Sequence, residues 1–267
     1  HTRYPLVTGV QTCALPIYLL WRYFRFGLPN GLHFFVDNSG FAAFLLLVGR
    51  LSNTALAATN IAFSINGLIF VPLLGFGTAI QTLVGHHMGA GHVGLARRTT
   101  WQAAALGVFW TGGTGILLIL FPSAALYPFF VFSSDGGADI GPLAAQAEIL
   151  LRFVAVYSVF DALAVVFSSA LRGAGDTLFP MLLTLACSWL VMVLPAWLVS
   201  EYYDRELKWL WLASSCNIIM AGLLMLIRFQ VGRWQSIRVI ETREFPATAD
   251  RKSTRLNSIH EWISRMP

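Results

Sequence analysis

LRFVAVYSVFDALAVVFSSAL, Leu151–Leu171, decides the fold of this chain. It is apolar over roughly the 20 residues a helix needs to cross a hydrocarbon core. It is too long for a strand and lacks the alternation of a barrel wall. The run extends back to Ala144, and five others share its character: Leu28–Val48, Ala55–Val84, Trp101–Phe121, Leu178–Val199 and Trp209–Phe229. Composition agrees. Of 267 residues, 56% are hydrophobic and 12% charged, with a mean hydropathy of +0.65. Soluble domains carry about 25% charged residues. The sequence predicts an all-α, polytopic membrane protein with six transmembrane helices spread over 27–230.

The formal charge of +5 and pI of 9.4 invite a nucleic-acid reading, which the chain ends remove. VTGVQTCALPI (Val7–Ile17) resembles the translation of a common sequencing-library adapter. DRKSTRLNSIH (Asp250–His260) resembles the same adapter read from the opposite strand, with Ile259 as its one departure. Residues 1–17 and 250–267 are therefore set aside from fold reasoning. With them go Arg3, Arg251, Lys252, Arg255 and Arg265, against only Asp250 and Glu261, so most of the basic excess disappears. No nucleic-acid partner is expected. Cys13 also goes, leaving Cys187 and Cys216 inside apolar runs, with no disulfide framework or metal-ligand spacing. The remaining stretch, Tyr18 to Ala249, is expected to be a piece of a longer gene.

Loop charges predict the orientation. One side gathers Arg22, Arg25, Arg97, Arg98, Arg172, Arg228, Arg233, Arg238 and Arg243. The other holds Arg50, Arg205 and Lys208 diluted by Asp135, Asp139, Glu201, Asp204 and Glu206. The arginine-rich side should be cytoplasmic, which places the chain in the inner membrane with both native ends inside. Tyr18–Phe26 reads as an interfacial segment (18–26) whose arginines reach the headgroups. Residues 231–249 read as a polar cytoplasmic tail. Pro72 predicts a bend in the second span; Pro180 and Pro195 lie near the ends of the fifth, where a missing amide costs less.

Two carboxylates fall within the spans. A charge at the bilayer centre costs at least about 2.5–3.5 kcal/mol on insertion scales, so such groups usually face a cavity, a partner or an ion. At 1.5 Å per residue, Asp37 lies roughly 12 Å into the first span and Asp161 about 16 Å from the cytoplasmic end of the fourth. Both depths approach the middle of a core about 30 Å thick. Tyr157 precedes Asp161 by four residues and so shares its helix face. Two buried carboxylates can exchange a proton or share a Na⁺ that offsets their repulsion. The bland alternative is a pair of unrelated acids, each hydrogen-bonded in a helix interface.

Other candidates carry less. His86, His87 and His92 lie at a helix end without an accompanying acid, and metal is expected only as a Na⁺ at the acids. Gly89-Ala90-Gly91 and Gly173-Ala174-Gly175 lack the strand–turn–helix setting and the lysine of a phosphate loop, and read as tight turns. Asn38, Asn60 and Asn66 read as interhelical hydrogen-bond glue. Asn60 is also a candidate secondary member of the acid pocket. Ser168 and Ser169 have no histidine or acid at a nucleophile's spacing, so no enzyme is expected.

FGLPNGLHFFVDNSGF (Phe26–Phe41), LSNTALAATNIAFSINGLIFVPLLGFGTAIQTLVGHHMGAG (Leu51–Gly91) and YSVFDALAVVFSSALRGAGDT (Tyr157–Thr177) together resemble the multidrug and toxic compound extrusion (MATE) transporters. The closest match is the carboxyl-terminal half. The resemblance implies one six-helix lobe of a two-lobe, twelve-helix transporter. It assigns the coupling-cation ligands of bacterial members to Asp37, Asp161 and Tyr157. The acid in the first of these spans is often Glu, so Asp37 is a shorter variant. Asn60 falls where many relatives carry Gln. The implied activity is Na⁺- or H⁺-coupled export of bulky, often cationic organic compounds by alternating access. The implied partners are the small-molecule substrate, membrane lipid and an amino-terminal lobe. No cofactor beyond the coupling ion is implied, and a lone lobe should be inactive. A lipid-linked-precursor flippase of the same superfamily would line its cavity with arginines, and these spans hold almost none beyond Arg152. A non-transporting scaffold would tolerate loss of both acids.

Overall fold

The computed structural model describes residues 17–132, 140–202 and 206–236, and every element among them is helical. Residues 1–16 and 250–267, with their expected adapter character, lie outside the described residues, as does most of the expected tail. In chain order the helices are α1 (Ile17–Gly49), α2 (Asn53–Gly89), α3 (Val93–Leu120), α4 (Pro122–Phe132) and α5 (Ile140–Gly173). There follow α6 (Leu178–Ala186), a π-helical turn (Cys187–Val193), α7 (Leu194–Tyr202), α8 (Leu207–Val231) and a 3-10 turn (Arg233–Ser236).

Among the described residues, five stretches are long and apolar enough to cross a membrane: Asn53–Gly89, Val93–Leu120, Gly141–Gly173, Leu178–Glu201 and Leu207–Val231. The first expected span, Leu28–Val48, lies within α1, whose shorter apolar section is Phe34–Gly49. Helix α1 runs unbroken from Ile17 through Tyr18–Phe26, so that segment is its first turns rather than a separate element. Three other boundaries differ from the sequence reading. Helix α3 begins at Val93, so Arg97 and Arg98 ride on the helix instead of a loop. The short helix α4, apolar throughout, has no counterpart among the expected spans because it is too short to cross. Finally, the beginning of the expected polar tail is packed. Gly232 ends α8 in the left-handed region (φ 76°), which turns Trp234 back to stack on Phe229 with ring centroids 4.8 Å apart. Trp234 is fully buried, and its indole nitrogen donates to the Phe229 carbonyl at 2.9 Å.

Helix ends are built locally. The Ser52 hydroxyl accepts from the Ala55 N–H at 3.0 Å, satisfying one of the orphan donors at the start of α2. The two Gly-Ala-Gly tripeptides form matching caps. At α2, His92 N–H donates to His87 O and Gly91 N–H to Met88 O; at α5, Asp176 N–H donates to Leu171 O and Gly175 N–H to Arg172 O. This paired pattern needs a left-handed residue, supplied by Gly91 (φ 75°) and Gly175 (φ 92°). Both tripeptides are thus turns.

Helix α5 is the axis of the unit, packed by α2, α3 and α8. Lipid supplies no hydrophobic drive between helices, so close backbone approach through small residues takes its place. A side chain at Gly173 would run into the Gln81 carbonyl, and a Cβ at Gly222 would lie 2.5 Å from the Phe160 carbonyl. Apolar clusters fill the two ends. One includes Phe44, Val48, Leu150 and Trp211; the other, at the end of the two glycine turns, includes Val84, Phe167, Leu171 and Trp234. Large apolar side chains such as Phe109 (80% exposed) and Leu68 (72%) cover the outside, as a lipid-facing surface requires. Pro72 stands inside α2, and Trp110 on α3 donates its indole N–H to the Ile69 carbonyl at 3.2 Å, close to the turn that the proline deprives of a donor.

Candidate functional site

Between the two apolar ends lies a cavity of about 380 Å³, lined from α1, α2, α5, α6, the π turn and α8. Asp161 is part of its wall. Thr78 and Gln81 of α2, Asn38 of α1, Ser188 of the π turn and Asn217 of α8 add polar groups. Its α5 wall descends by helical turns from Asp161 through Ser168 to Arg172. The guanidinium of Arg172 donates from Nη2 to Ser169 Oγ at 3.2 Å. Most other buried hydroxyls are satisfied by their own helix: Thr100 donates to the Ala96 carbonyl, Thr111 to Gly107 and Ser215 to Trp211.

The sequence-predicted residues are placed as follows. Asp161 is half-buried and faces the cavity. Tyr157, one turn away, is 1% exposed and belongs to the apolar cluster around Trp211 rather than to the cavity wall. Its hydroxyl has no hydrogen-bond partner among the described residues. Asp37 is in helix α1, and its side chain lies outside the described residues; Phe34 and Asn38, on either side of it in sequence, line the cavity. Asn60 is exposed on α2, away from this cavity, and its carbonyl accepts from Ser64 Oγ at 2.8 Å.

Contacts between helices set the relative heights of the acids. A Cβ on Gly40 would lie 3.0 Å from Ser188 Cβ, so α1 crosses the π turn there. Asn217 Nδ2 reaches Met192 Sδ at 3.9 Å, and Gly222 abuts Phe160. Spans alternate in direction, so counting from these contacts at about 1.5 Å per residue brings the backbones of Asp37 and Asp161 within about 5 Å of one level. Ser188 is close to the same height.

Two features escaped the sequence reading. The π turn has no residue signature, although such turns recur at functional sites. Ser188 and Asn217 were visible only as polar residues in apolar runs. The second feature is an ion pair. Arg228, in the last turn of α8, donates from Nε (3.0 Å) and Nη2 (2.8 Å) to Asp176 Oδ2. Its guanidinium carbon also lies 4.6 Å from the centroid of the Phe179 ring. Asp176 is 8% exposed, so the pair fastens the α5–α6 turn to α8 in a largely dry setting. The exposed Arg152–Glu148 pair, at 3.5 Å, adds little by comparison. His86 and His87 are in the last turn of α2, and His92 caps α3. Among the described residues no three His, Cys, Asp or Glu groups gather as a metal cluster.

The family model MatE matches residues 29–198. A probable multidrug resistance protein NorM from Thermotoga maritima is 29% identical over 223 residues, covering 82% of this chain and 46% of the relative. A probable NorM from Brucella suis is 31% identical over 211 residues, covering 79% and 44%. An outward-facing multidrug resistance MATE family transporter of the MOP superfamily superposes with a TM-score of 0.73 at 17% identity, covering 86% of this chain and 50% of that one. The chain spans about half the length of the relatives it matches.

Proposed function

This chain belongs to the MatE family, a family of membrane transporters rather than enzymes, and on that premise we propose that it forms one lobe of a cation-coupled multidrug antiporter. A second lobe completes the substrate cavity. Na⁺ or H⁺ from outside occupies Asp161 with Asp37 and Tyr157. The cation binds one packing of the helices better than the other, and that difference in affinity drives release of a bulky organic substrate outward. The turns after α2 and α5, flanked by Arg97 and Arg98 on α3 and by Arg172 in α5, face the cytoplasm of the cell membrane, and both native ends lie on that side.

The observation that carries this reading is Asp161, a carboxylate at mid-span on the wall of a partly open cavity that Asn38, Thr78, Gln81 and Asn217 also line. An acid that merely stitched two helices together would have no need of such a space. One arginine, Arg172, lines this cavity, which gives little support to a flippase for anionic lipid-linked precursors. The test uses a transporter carrying this lobe together with an amino-terminal one. Asp37→Asn and Asp161→Asn should each abolish drug efflux from cells while leaving membrane insertion intact. Near-normal efflux in both would refute the coupling role and favour a scaffold.

A further inference from the structure

A second cavity, of about 370 Å³, opens at the end of the bundle opposite the glycine turns. Its walls are the starts of α2 and α8 and the part of α5 around Gln146, and it shares no residue with the cavity around Asp161. That volume falls within the roughly 300–1,000 Å³ of small-ligand sites. Its polar groups carry both signs. Lys208 and Glu206 stand on its rim, 3.8 Å apart, with side chains 62% and 57% exposed. So open a pair is worth little, and either partner can turn to a ligand at small cost. Gln146 lines the same space, and its Oε1 is buried with no hydrogen-bond partner among the described residues. A buried acceptor left unmet calls for a donor. Glu206 gives α8 no side-chain cap, which leaves the positive end of that helix open at the pocket. Trp209, 52% exposed, follows on α8 and is the kind of residue that marks the headgroup level.

We propose that this pocket seats the headgroup of an amine-bearing phospholipid, phosphatidylethanolamine in its chemistry, from the outer leaflet in the orientation given above. The lipid phosphate pairs with Lys208 and the open end of α8. Its ammonium, with three N–H donors, serves the Glu206 carboxylate and Gln146 Oε1. A simple anion leaves the Gln146 acceptor unmet, and a simple cation leaves Lys208 and the helix end unmet. A zwitterion answers both. Leu51, Ile149 and Leu207 complete the wall, so the start of the acyl chains meets apolar surface. Nothing in this assignment depends on the ion at Asp161.

The experiment is thermal unfolding of the full chain in detergent micelles doped with phosphatidylethanolamine, phosphatidylcholine or phosphatidylglycerol. A lipid that binds the folded state raises the melting temperature with its concentration. Phosphatidylethanolamine should stabilise the wild type most. Choline has no N–H and glycerol no positive charge, so those lipids should need about tenfold more for the same shift. Glu206→Gln and Lys208→Gln should each move the phosphatidylethanolamine midpoint upward about tenfold. Gln146→Leu should do the same while melting no lower than the wild type without lipid, because it removes an unmet polar atom. The two rim variants, at exposed positions, keep the test open whatever Gln146→Leu does to folding. Glu148→Gln, on the exposed pair outside the pocket, is the control and should respond like the wild type. Equal shifts from all three lipids would overturn the assignment, as would rim variants that titrate like the wild type or a control as weak as they are. Soluble phosphoethanolamine should act only at far higher concentration. If it matches the lipid, the occupant is a free zwitterion and the lipid assignment falls.

Discussion

Asp161 was legible in the sequence because a carboxylate in an apolar run is expensive, and expense at mid-span points to purpose. What the sequence could not supply was the company it keeps. Ser188 and Asn217 come to line the same cavity only through helix rotation and register, and no residue pattern encodes those. Tyr157 illustrates the reverse. Spacing places it one turn from Asp161, while packing seats its ring among the apolar residues around Trp211. The Asp176–Arg228 pair yields a prediction at this scale. Removing one partner of a largely buried pair leaves the other charge uncompensated, so Arg228→Ala should destabilise the chain by about 3 kcal/mol. Arg228→Lys should recover only part of the loss, because lysine cannot donate from two fixed nitrogens to one carboxylate oxygen. Thermal melts of the two variants check both statements, and equal stability of Arg228→Ala and the wild type would show the pair to be idle.

Among elements, existence and type followed from length and apolarity, while ends and interruptions did not. The start of α3 lies well before Trp101 because a polar stretch with two arginines still prefers helix once the α2 cap has turned the chain. The π turn was hidden for a different reason: no residue pattern marks it, and its packing against Gly40 of α1 is a tertiary contact. Helix α2 begins on a side-chain cap, so Ser52→Ala should cost about 1 kcal/mol in a denaturation experiment. Close approach between α2 and α5 depends on Gly173. Gly173→Val should force the helices apart and sharply reduce folded protein recovered from membranes. Gly112→Ala, where an added Cβ meets nothing within 4 Å, should be tolerated. Comparable recovery of both variants would contradict the packing described for α5.

At the scale of the molecule, the described residues form a bundle with two apolar ends and a cavity bearing Asp161 between them. That architecture suits the proposed transporter lobe: the ends pack the helices against one another, and the cavity is where the proposed coupling ion acts. Fold class was readable because lipid forces every spanning backbone into helix. The cavity was not, since it arises where six segments fail to fill space together. The proposed role of Asp161 is to transmit the energy of a cation gradient. It is tested most directly in proteoliposomes of a transporter containing this lobe and an amino-terminal one, by drug accumulation against an imposed Na⁺ or H⁺ gradient. The wild type should concentrate drug, and Asp161→Asn should bind drug yet equilibrate it without accumulation. Gradient-driven accumulation by Asp161→Asn equal to that of the wild type would contradict the claim.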